Sequence, residues 1–280
     1  MSGRLFVVAT PIGNLDDLSP RALETLREVK VIACEDTRHT RVLLDKFGVA
    51  TSTVSLPAFA EGQRAGAILD RLLNGDDVAL VTDAGTPAIS DPGEKLVSEA
   101  VAAGVTVVPI PGPAAIIAAL SAGGLPTGRF HFLGFLPRQQ SEARAMIDEV
   151  RQLSATLVLY ESPRRLGDTL RLLAEMLGNR RAVVARELTK LHEELVRGPL
   201  DDLVSRYADA EVLGEVVVLI EGRTGDTRWS EGEVKSAIER GLAEGERLKS
   251  LTTELSKRSG WPAQELYRIG LSLKTTGSHS

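Results

Sequence analysis

Residues 82–93 read TDAGTPAISDPG and follow directly on the apolar run DVALV at 77–81. A short apolar run bounded by turn residues reads as a buried strand. The loop after it holds glycine and proline corners, small hydroxyl side chains and the aspartates Asp83 and Asp91, with little that packs a core. In an open parallel sheet, ligands bind beyond the carboxyl ends of the strands, where loops feed into helices. The stretch therefore predicts a strand of a parallel sheet followed by a ligand wall.

The pattern repeats on either side. RLFVVA, VKVIAC, TSTVSL, DVALV and VTVVPI have strand length and apolarity through the first 120 residues. Between them SPRALETLREV, TRHTRVLLDKFG, EGQRAGAILDRLLNG and GEKLVSEAVAAG carry helical spacing, three of them stopping at a glycine. Strand and helix in alternation imply a mostly parallel sheet covered on both faces. GGLPTGR at 123–129 is a composition break suited to a linker. After it come FHFLGFL, a charged helix from about Arg138 to Gln152, TLVLYES, a helix from Pro163 to Leu177, then RAVVAREL, EELVRGPL and GEVVVLIEG. EVKSAIERGLAEG, RLKSLTTELSKRSG and PAQELYRIGLSL read as three short helices. The division expected is an α/β domain over 1–122 with a parallel sheet, a linker over 123–129, a second α/β domain over 130–225 and a small helix-turn-helix-like domain over 229–275.

Composition narrows the function. The 280 residues are 43% hydrophobic, enough for a sizeable core. No stretch approaches the roughly 20 apolar residues that cross a bilayer, so a cytoplasmic protein with no membrane partner is expected. The single Cys34, at the end of a strand run, reads as a small core residue. His39, His131, His192 and His279 show no paired-ligand spacing, so no metal is expected. The net charge of −5 argues against a uniformly basic nucleic-acid binder and leaves a local basic surface open.

Four loops share the predicted sheet edge: TPIGNLDDLSP, EDTRHT, TDAGTPAISDPG and PGPAA. Their glycines and prolines let backbone amides and carbonyls approach a ligand closely. None is a phosphate loop or a G-x-G-x-x-G turn, which disfavours an ordinary nucleotide or NAD site.

PIGNLDDLSPRAL, CEDTRHTRVLL, LVTDAGTPAISDPG, PIPGPAAIIAAL, FLGFLP, YESPRRL, RELTKLHEE and GEVVVLIEG occur in this order over nearly the whole chain. Together they resemble the tetrapyrrole methylase superfamily, and within it the ribosomal RNA branch of small-subunit rRNA cytidine 2′-O-methyltransferases. The porphyrin and corrin branches carry G-x-G-P-G in the first loop, where this chain has ATPIGN at 9–14. The resemblance implies a homodimer, with S-adenosyl-L-methionine held between two α/β domains and small-subunit rRNA or the ribosomal subunit as partner. It implies cofactor contacts at Pro11, at Asp83, Ala84 and Gly85, at Ile89, and at Pro113 and Ala114. In the second domain it implies Glu161, Leu188 and Glu215. A helix starting after PGP would present free amides to the cofactor carboxylate.

Methyl transfer to a ribose hydroxyl gains from a general base, and the candidates are Asp36, Lys190 and Glu187. Asp36 or Thr37 also suits the cap of the next helix. Arg38, Arg164 and Arg165 suit RNA phosphates. So do Lys257 and Arg258 in a C-terminal stretch, 247–280, with six Lys or Arg against two Glu. Trp261 and Tyr267 read as packing residues rather than base platforms. Methylation of another acceptor, tetrapyrrole or protein, and a cofactor-sensing RNA-binding module without turnover are the competing functions.

Overall fold

The computed structural model describes residues 2–57, 61–208, 210–223, 229, 231–243 and 246–277, with the side chains of 243, 257, 258 and 274–277 outside the description. The chain forms two compact units, 1–223 and 224–280.

The first unit begins with strand β1 (Arg4–Val8), helix α1 (Pro20–Glu28), β2 (Val31–Cys34), α2 (Thr37–Lys46), β3 (Thr53–Ser55) and α3 (Glu61–Leu73). It continues through β4 (Val78–Leu80), α4 (Glu94–Ala102), β5 (Thr106–Ile110) and α5 (Ala115–Gly123). The strands form a sheet of order β3-β2-β4-β1-β5, parallel at every pairing. Successive side chains in a strand point to opposite faces, and the two cores follow that rule. Val31, Ala33, Val78 and Leu80 pack under α3 and α4 residues such as Ile68, Leu72 and Leu96. Ile32, Cys34, Ala79 and Val81 pack with Ala22, Leu26 and Leu44 of α1 and α2. Cys34 is fully buried there, as its sequence context suggested. Pro109 lacks a ladder donor and sits on the edge strand β5, where proline is tolerated.

The second sheet uses β6 (Phe130–Phe135), β7 (Thr156–Glu161), β8 (Arg181–Arg186), β9 (Glu194–Pro199) and β10 (Val216–Ile220), with helices α6 (Gln140–Val150), α7 (Leu166–Leu177) and α8 (Leu200–Tyr207) between them. Its order is β6-β7-β10-β8-β9. Only β6 and β7 run parallel; the other pairings are antiparallel. Helix α8 has no counterpart in the sequence reading. It is eight residues long, with Pro199 at its N-cap and no side-chain cap bond, so its local signal is weak.

One face of this sheet packs α6, α7 and α8 through Ile147, Leu170 and Leu203. The other face, with Val158, Val183, Val217 and Leu219, packs Ala119 and Leu120 of α5. Helix α5 thus follows the first sheet in sequence and covers the second in space. The 123–129 segment is anchored accordingly. Leu125 is buried in that same core, and the Thr156 hydroxyl donates to Pro126 O at 2.5 Å.

The second unit holds α9 (Glu231–Ala243), α10 (Leu248–Ser259) and α11 (Ala263–Gly277) around Val234, Ile238, Leu251, Leu255 and Leu266. Gly260 ends α10 at φ +68° and Pro262 opens the next helix, its carbonyl accepting from Glu265 and Leu266. Trp261 packs on the core and its indole donates to Trp229 O. Tyr267, expected to pack, is 40% exposed. Among the described residues, no helix is long and apolar enough to cross a membrane.

Candidate active site

The loop after β4 is fastened to the loop after β1. Thr10 N–H donates to Gly85 O at 2.8 Å, Gly85 N–H returns a bond to Thr10 O at 3.1 Å, and the Thr10 hydroxyl donates to Thr82 O at 3.1 Å. Gly85 has φ +90°, a conformation that L side chains rarely adopt. Ala88 and Ser90 also have positive φ, at 67° and 66°. Such strain persists only where the surroundings over-determine it, and it concentrates at functional sites. The loop's far end is fixed by Glu61, whose Oε1 accepts from the N–H groups of Gly93, Lys95 and Leu96 at 3.0–3.2 Å.

The segment after β8 meets the first loop. Glu187 and Thr189 have φ +52° and +67°. Asn14 N–H donates to the Thr189 hydroxyl at 3.0 Å. Gly13 permits this approach, since a Cβ there would lie 2.4 Å from Lys190 Cγ and 2.9 Å from Leu188 O.

Two adjoining cavities result. The first, about 340 Å³, has Ile12, Leu188 and Val217 among its apolar lining and Asp91, Tyr160 and Glu161 among its polar lining. The second, about 450 Å³, takes in Pro11, His39, Val42, Leu43 and Lys190. Ile12, Asp83, Ala84 and Glu215 line both.

The polar groups differ in how firmly they are held. Glu161 is 2% exposed; it accepts from the Thr169 hydroxyl at 2.5 Å and Ser162 N–H at 2.7 Å, and Arg165 lies 3.6 Å away. Lys190 Nζ bonds Glu187 at 2.9 Å and Glu215 at 3.0 Å. Partial burial pulls the lysine down, but its two carboxylate partners outweigh this and hold it above its ordinary range. The same lysine holds Glu187 below the ordinary carboxylate range. Asp91 behaves oppositely. Burial first, then the neighbouring Glu35, with further contributions from Asp83 and Glu215, raises it to about 6 despite the Thr82 hydroxyl. Burial and Asp83 raise Glu35 in the same direction. Tyr160 is raised by burial, Asp91 and Glu215.

The residues expected to touch a cofactor fall into three groups. Asp83, Ala84, Glu161, Leu188 and Glu215 line the first cavity, and Pro11 the second. Gly85 and Pro113 stand behind the wall, where the Thr86 hydroxyl donates to Pro113 O at 3.2 Å. Ala114 is the N-cap of α5 and Ile89 is 44% exposed on the rim loop. Of the three base candidates, Lys190 lines the second cavity and Glu187 serves as its partner. Asp36 caps α2 by accepting from Arg38 N–H at 2.8 Å and pairs with the Arg38 guanidinium at 2.7 Å. Those hydrogen bonds hold its carboxyl at about 2, far below a useful base.

The arginines also divide. Arg38 and Arg164 are exposed, whereas the Arg165 guanidinium donates to Leu136 O and Pro137 O at 3.1 Å each. Lys257 and Arg258 lie in α10 with side chains outside the described residues. Sequence reading passed over Asp91, Tyr160 and Phe135 as site residues, although SDPG and YES were both in view; what marks them is the company of distant residues.

The site's chemistry suits the cofactor that the sequence resemblance implies. Helix α5 has alanine at its N-cap and no side-chain cap bond, so its first amides are not capped by a side chain beside the cavity-lining Ala115. That end favours a carboxylate. Ile12, Ala185, Val216 and Val217 offer an apolar bed for an aromatic base, and carboxylates at Asp83 and Glu215 can accept from hydroxyl or ammonium groups. Among the described residues no group of three or more His, Cys, Asp or Glu is placed to hold a metal.

Comparison with known proteins agrees with this architecture. The profile of the Tetrapyrrole (Corrin/Porphyrin) Methylases matches residues 4–204. The ribosomal RNA small subunit methyltransferase I of Halalkalibacterium halodurans is 42% identical over 272 residues, covering 95% of this chain and 94% of that protein. The protein of the same name from Pseudomonas aeruginosa is 49% identical over 224 residues, covering 79% of each. Among solved structures, uroporphyrin-III C-methyl transferase from Thermus thermophilus, complexed with S-adenosyl homocysteine, shares the fold at a TM-score of 0.56 and 18% identity, covering 78% of this chain and 97% of that one. The chain belongs to the tetrapyrrole (corrin/porphyrin) methylase family and stands within it beside the ribosomal RNA small subunit methyltransferases I.

Proposed function

We propose that the protein methylates the ribose 2′-hydroxyl of a cytidine in small-subunit ribosomal RNA, using S-adenosyl-L-methionine, and works as a cytoplasmic homodimer. The observation that carries the reading is the pair of adjoining cavities sharing Ile12, Asp83, Ala84 and Glu215, which suits two substrates meeting at one wall. The names of the near relatives support small-subunit ribosomal RNA as the acceptor molecule, and the cytidine 2′-hydroxyl within it rests on the sequence resemblance alone. Bound in the first cavity, S-adenosylmethionine supplies an electrophilic methyl on a sulfonium.

The chain's own part is to position and to exclude water. Holding two reactants in line can contribute about 7–11 kcal/mol to barrier reduction. Asp83, Ala84, Glu161, Leu188 and Glu215 form the cofactor bed, with Pro11, Gly85, Ile89, Pro113 and Ala114 shaping its edge. Lys190, held cationic, offsets the carboxylates of Glu187 and Glu215. Arg38, Arg164 and the basic positions Lys257 and Arg258 are assigned to RNA phosphates, while Arg165 serves mainly to hold Glu161 and the end of β6. The dimer reading draws on Phe130 and Phe135, 42% and 54% exposed on the edge strand β6.

The deciding experiment maps 2′-O-methylation on small-subunit rRNA from cells with and without the gene, together with labelled methyl transfer to purified subunits. One cytidine 2′-O-methyl group should vanish with the gene. An unchanged map, or transfer only to a tetrapyrrole or a protein, defeats the proposal.

A further inference from the structure

The second cavity is a recess with a buried floor. Thr10, Thr40, Thr82, Ile12 and Leu43 line it, and all five are buried. A hydroxyl that meets the cofactor at the shared wall of Ile12, Asp83, Ala84 and Glu215 must enter that recess. At about 450 Å³ it has the size of a small-ligand site and can take one nucleoside, not the surface of a helix. An A-form RNA helix keeps its 2′-hydroxyls along a shallow groove with the bases stacked. A target nucleotide held in such a stack therefore has to leave it before reacting, and the protein must meet that cost.

Beside the recess stands a side chain whose exposure nothing in the fold explains. Leu191 is 92% exposed, the highest value among the large hydrophobics of the described residues, and it follows Lys190, which lines the recess. Single apolar side chains on a surface are ordinary, but this one is held out on a braced turn. Lys190 N–H donates to Glu187 O at 3.0 Å and Glu193 N–H to Lys190 O at 3.2 Å, which leaves Leu191 and His192 at the tip. Thr189 N–H donates to Glu193 Oε2 at 2.7 Å, and the Thr189 hydroxyl accepts from Asn14 N–H at 3.0 Å. Lys190 Nζ adds its bonds to Glu187 and Glu215. A loose loop could fold a leucine back onto the surface; this turn leaves it in solvent. Across the same recess, α2 contributes His39 and Val42, the latter 62% exposed, with the exposed Arg38 just before them.

We propose that Leu191 is a wedge: it enters the RNA base stack at the gap left by the target cytidine while that nucleotide swings into the second cavity. This rests on the rRNA methyl-transfer reading above and deepens it. Proteins that unstack nucleic acid insert apolar side chains, leucine among them, between base steps. Enzymes that act on a stacked nucleotide extrude it into a pocket. The gap left behind is walled by the apolar faces of two bases, and a leucine that stood in water gains by filling it. In the recess the cytosine packs on Val42, Leu43 and the His39 ring, and its ribose turns to the shared wall. Arg38 holds a phosphate of the same strand. Because the turn is braced in the free protein, little ordering remains to be done on binding. A second copy of the chain is a poor cover for Leu191. Its neighbours on the turn are Thr189, Lys190, His192 and Glu193, which make no apolar patch of the kind that protein interfaces use.

The test uses the full-length protein as wild type, Leu191→Ser and Leu191→Met, with small subunits purified from cells lacking the gene. Leu191→Ser should lower kcat/KM on subunits by about 10- to 100-fold, the scale of an unassisted extrusion. Its affinity for S-adenosylmethionine by calorimetry and its size by gel filtration should match the wild type. Leu191→Met, apolar and of similar volume, should recover most of the loss. Independently of turnover, subunits saturated with wild type and S-adenosyl homocysteine should show raised 2′-hydroxyl acylation at the nucleotides flanking the methylated cytidine, the mark of an opened stack. Leu191→Ser should leave those nucleotides at the level of free subunits. An active wild type with an equally active Leu191→Ser overturns the wedge alone. So does flanking reactivity that the wild type fails to raise, or a loss of rate that comes with weaker cofactor binding or a smaller assembly. A wild type that binds cofactor yet methylates no subunit removes the functional reading, and the wedge with it.

Discussion

Thr10 and Gly85 exchange two backbone hydrogen bonds, of 2.8 and 3.1 Å, and so lock the loop after β1 to the loop after β4. The lock holds Ile12 against Gly85: a Cβ at Gly85 would lie 3.4 Å from Ile12 Cγ2. It also requires φ +90° at Gly85. A left-handed conformation costs an L residue about 1–2 kcal/mol, less than the 5–15 kcal/mol that typically holds a domain together. Gly85→Val should therefore stay folded by circular dichroism while its cofactor binding by calorimetry is lost, because the turn must move into or away from the cavity wall. A folded variant with wild-type affinity contradicts this account of the wall.

Asp36 offers a separation of roles. Its pairing with Arg38 and its cap bond depress its folded value to about 2, below the unfolded carboxylate near 3.9. The stability it confers is thus present above about pH 4 and is lost as pH falls towards 2. Asp36→Asn retains a cap acceptor but loses the charge that pairs with Arg38, so it should keep wild-type methyl transfer and melt between the wild type and Asp36→Ala at pH 7. Asp36→Ala should melt lower at pH 7, with the difference shrinking in acid. Loss of turnover in Asp36→Asn, with melting no lower than expected, would restore Asp36 as the base.

Lys190 separates charge from base chemistry. Its two carboxylate partners keep it protonated at neutral pH, and arginine remains charged at any working pH. Lys190→Arg should keep most of the turnover, whereas Lys190→Gln should weaken cofactor binding by leaving Glu187 and Glu215 without their cation. Turnover that collapses in Lys190→Arg and rises in the wild type only above pH 9 would mark Lys190 as the base instead.

These residues also show what a linear reading reaches. The strands of the first sheet were legible because each alternates its side chains between two cores, as Ile32 and Cys34 against Val31 and Ala33 illustrate. The direction of the second sheet was not legible: β10 between β7 and β8 is a long-range choice that no local pattern records. Nor was the placement of α5, whose Ala119 and Leu120 are apolar enough to cover either sheet. TDAGTPAISDPG announced a ligand wall, yet Asp91 within it looked like any turn aspartate. Its character is made by burial first and then by Glu35, Asp83 and Glu215, which the fold gathers from three strand ends.

All residues lining the two cavities fall before Arg223, within the first unit. A chain ending near Gly225 should fold and bind S-adenosylmethionine with unchanged affinity. The stretch it loses carries the surplus of Lys and Arg over Glu between 247 and 280. Affinity for an RNA falls with salt in proportion to the phosphates neutralised, with a slope of about −0.7 to −0.9 per contact. Truncation should therefore weaken binding to small subunits and flatten its salt dependence. Reversing Lys257 and Arg258 to glutamate should reproduce part of the defect, reducing the slope by about 1.5 if both meet phosphates. If the truncated enzyme methylates subunits with the same KM and the same salt slope, the helical unit serves docking or assembly. The RNA grip must then come from exposed arginines of the first unit, Arg38 and Arg164.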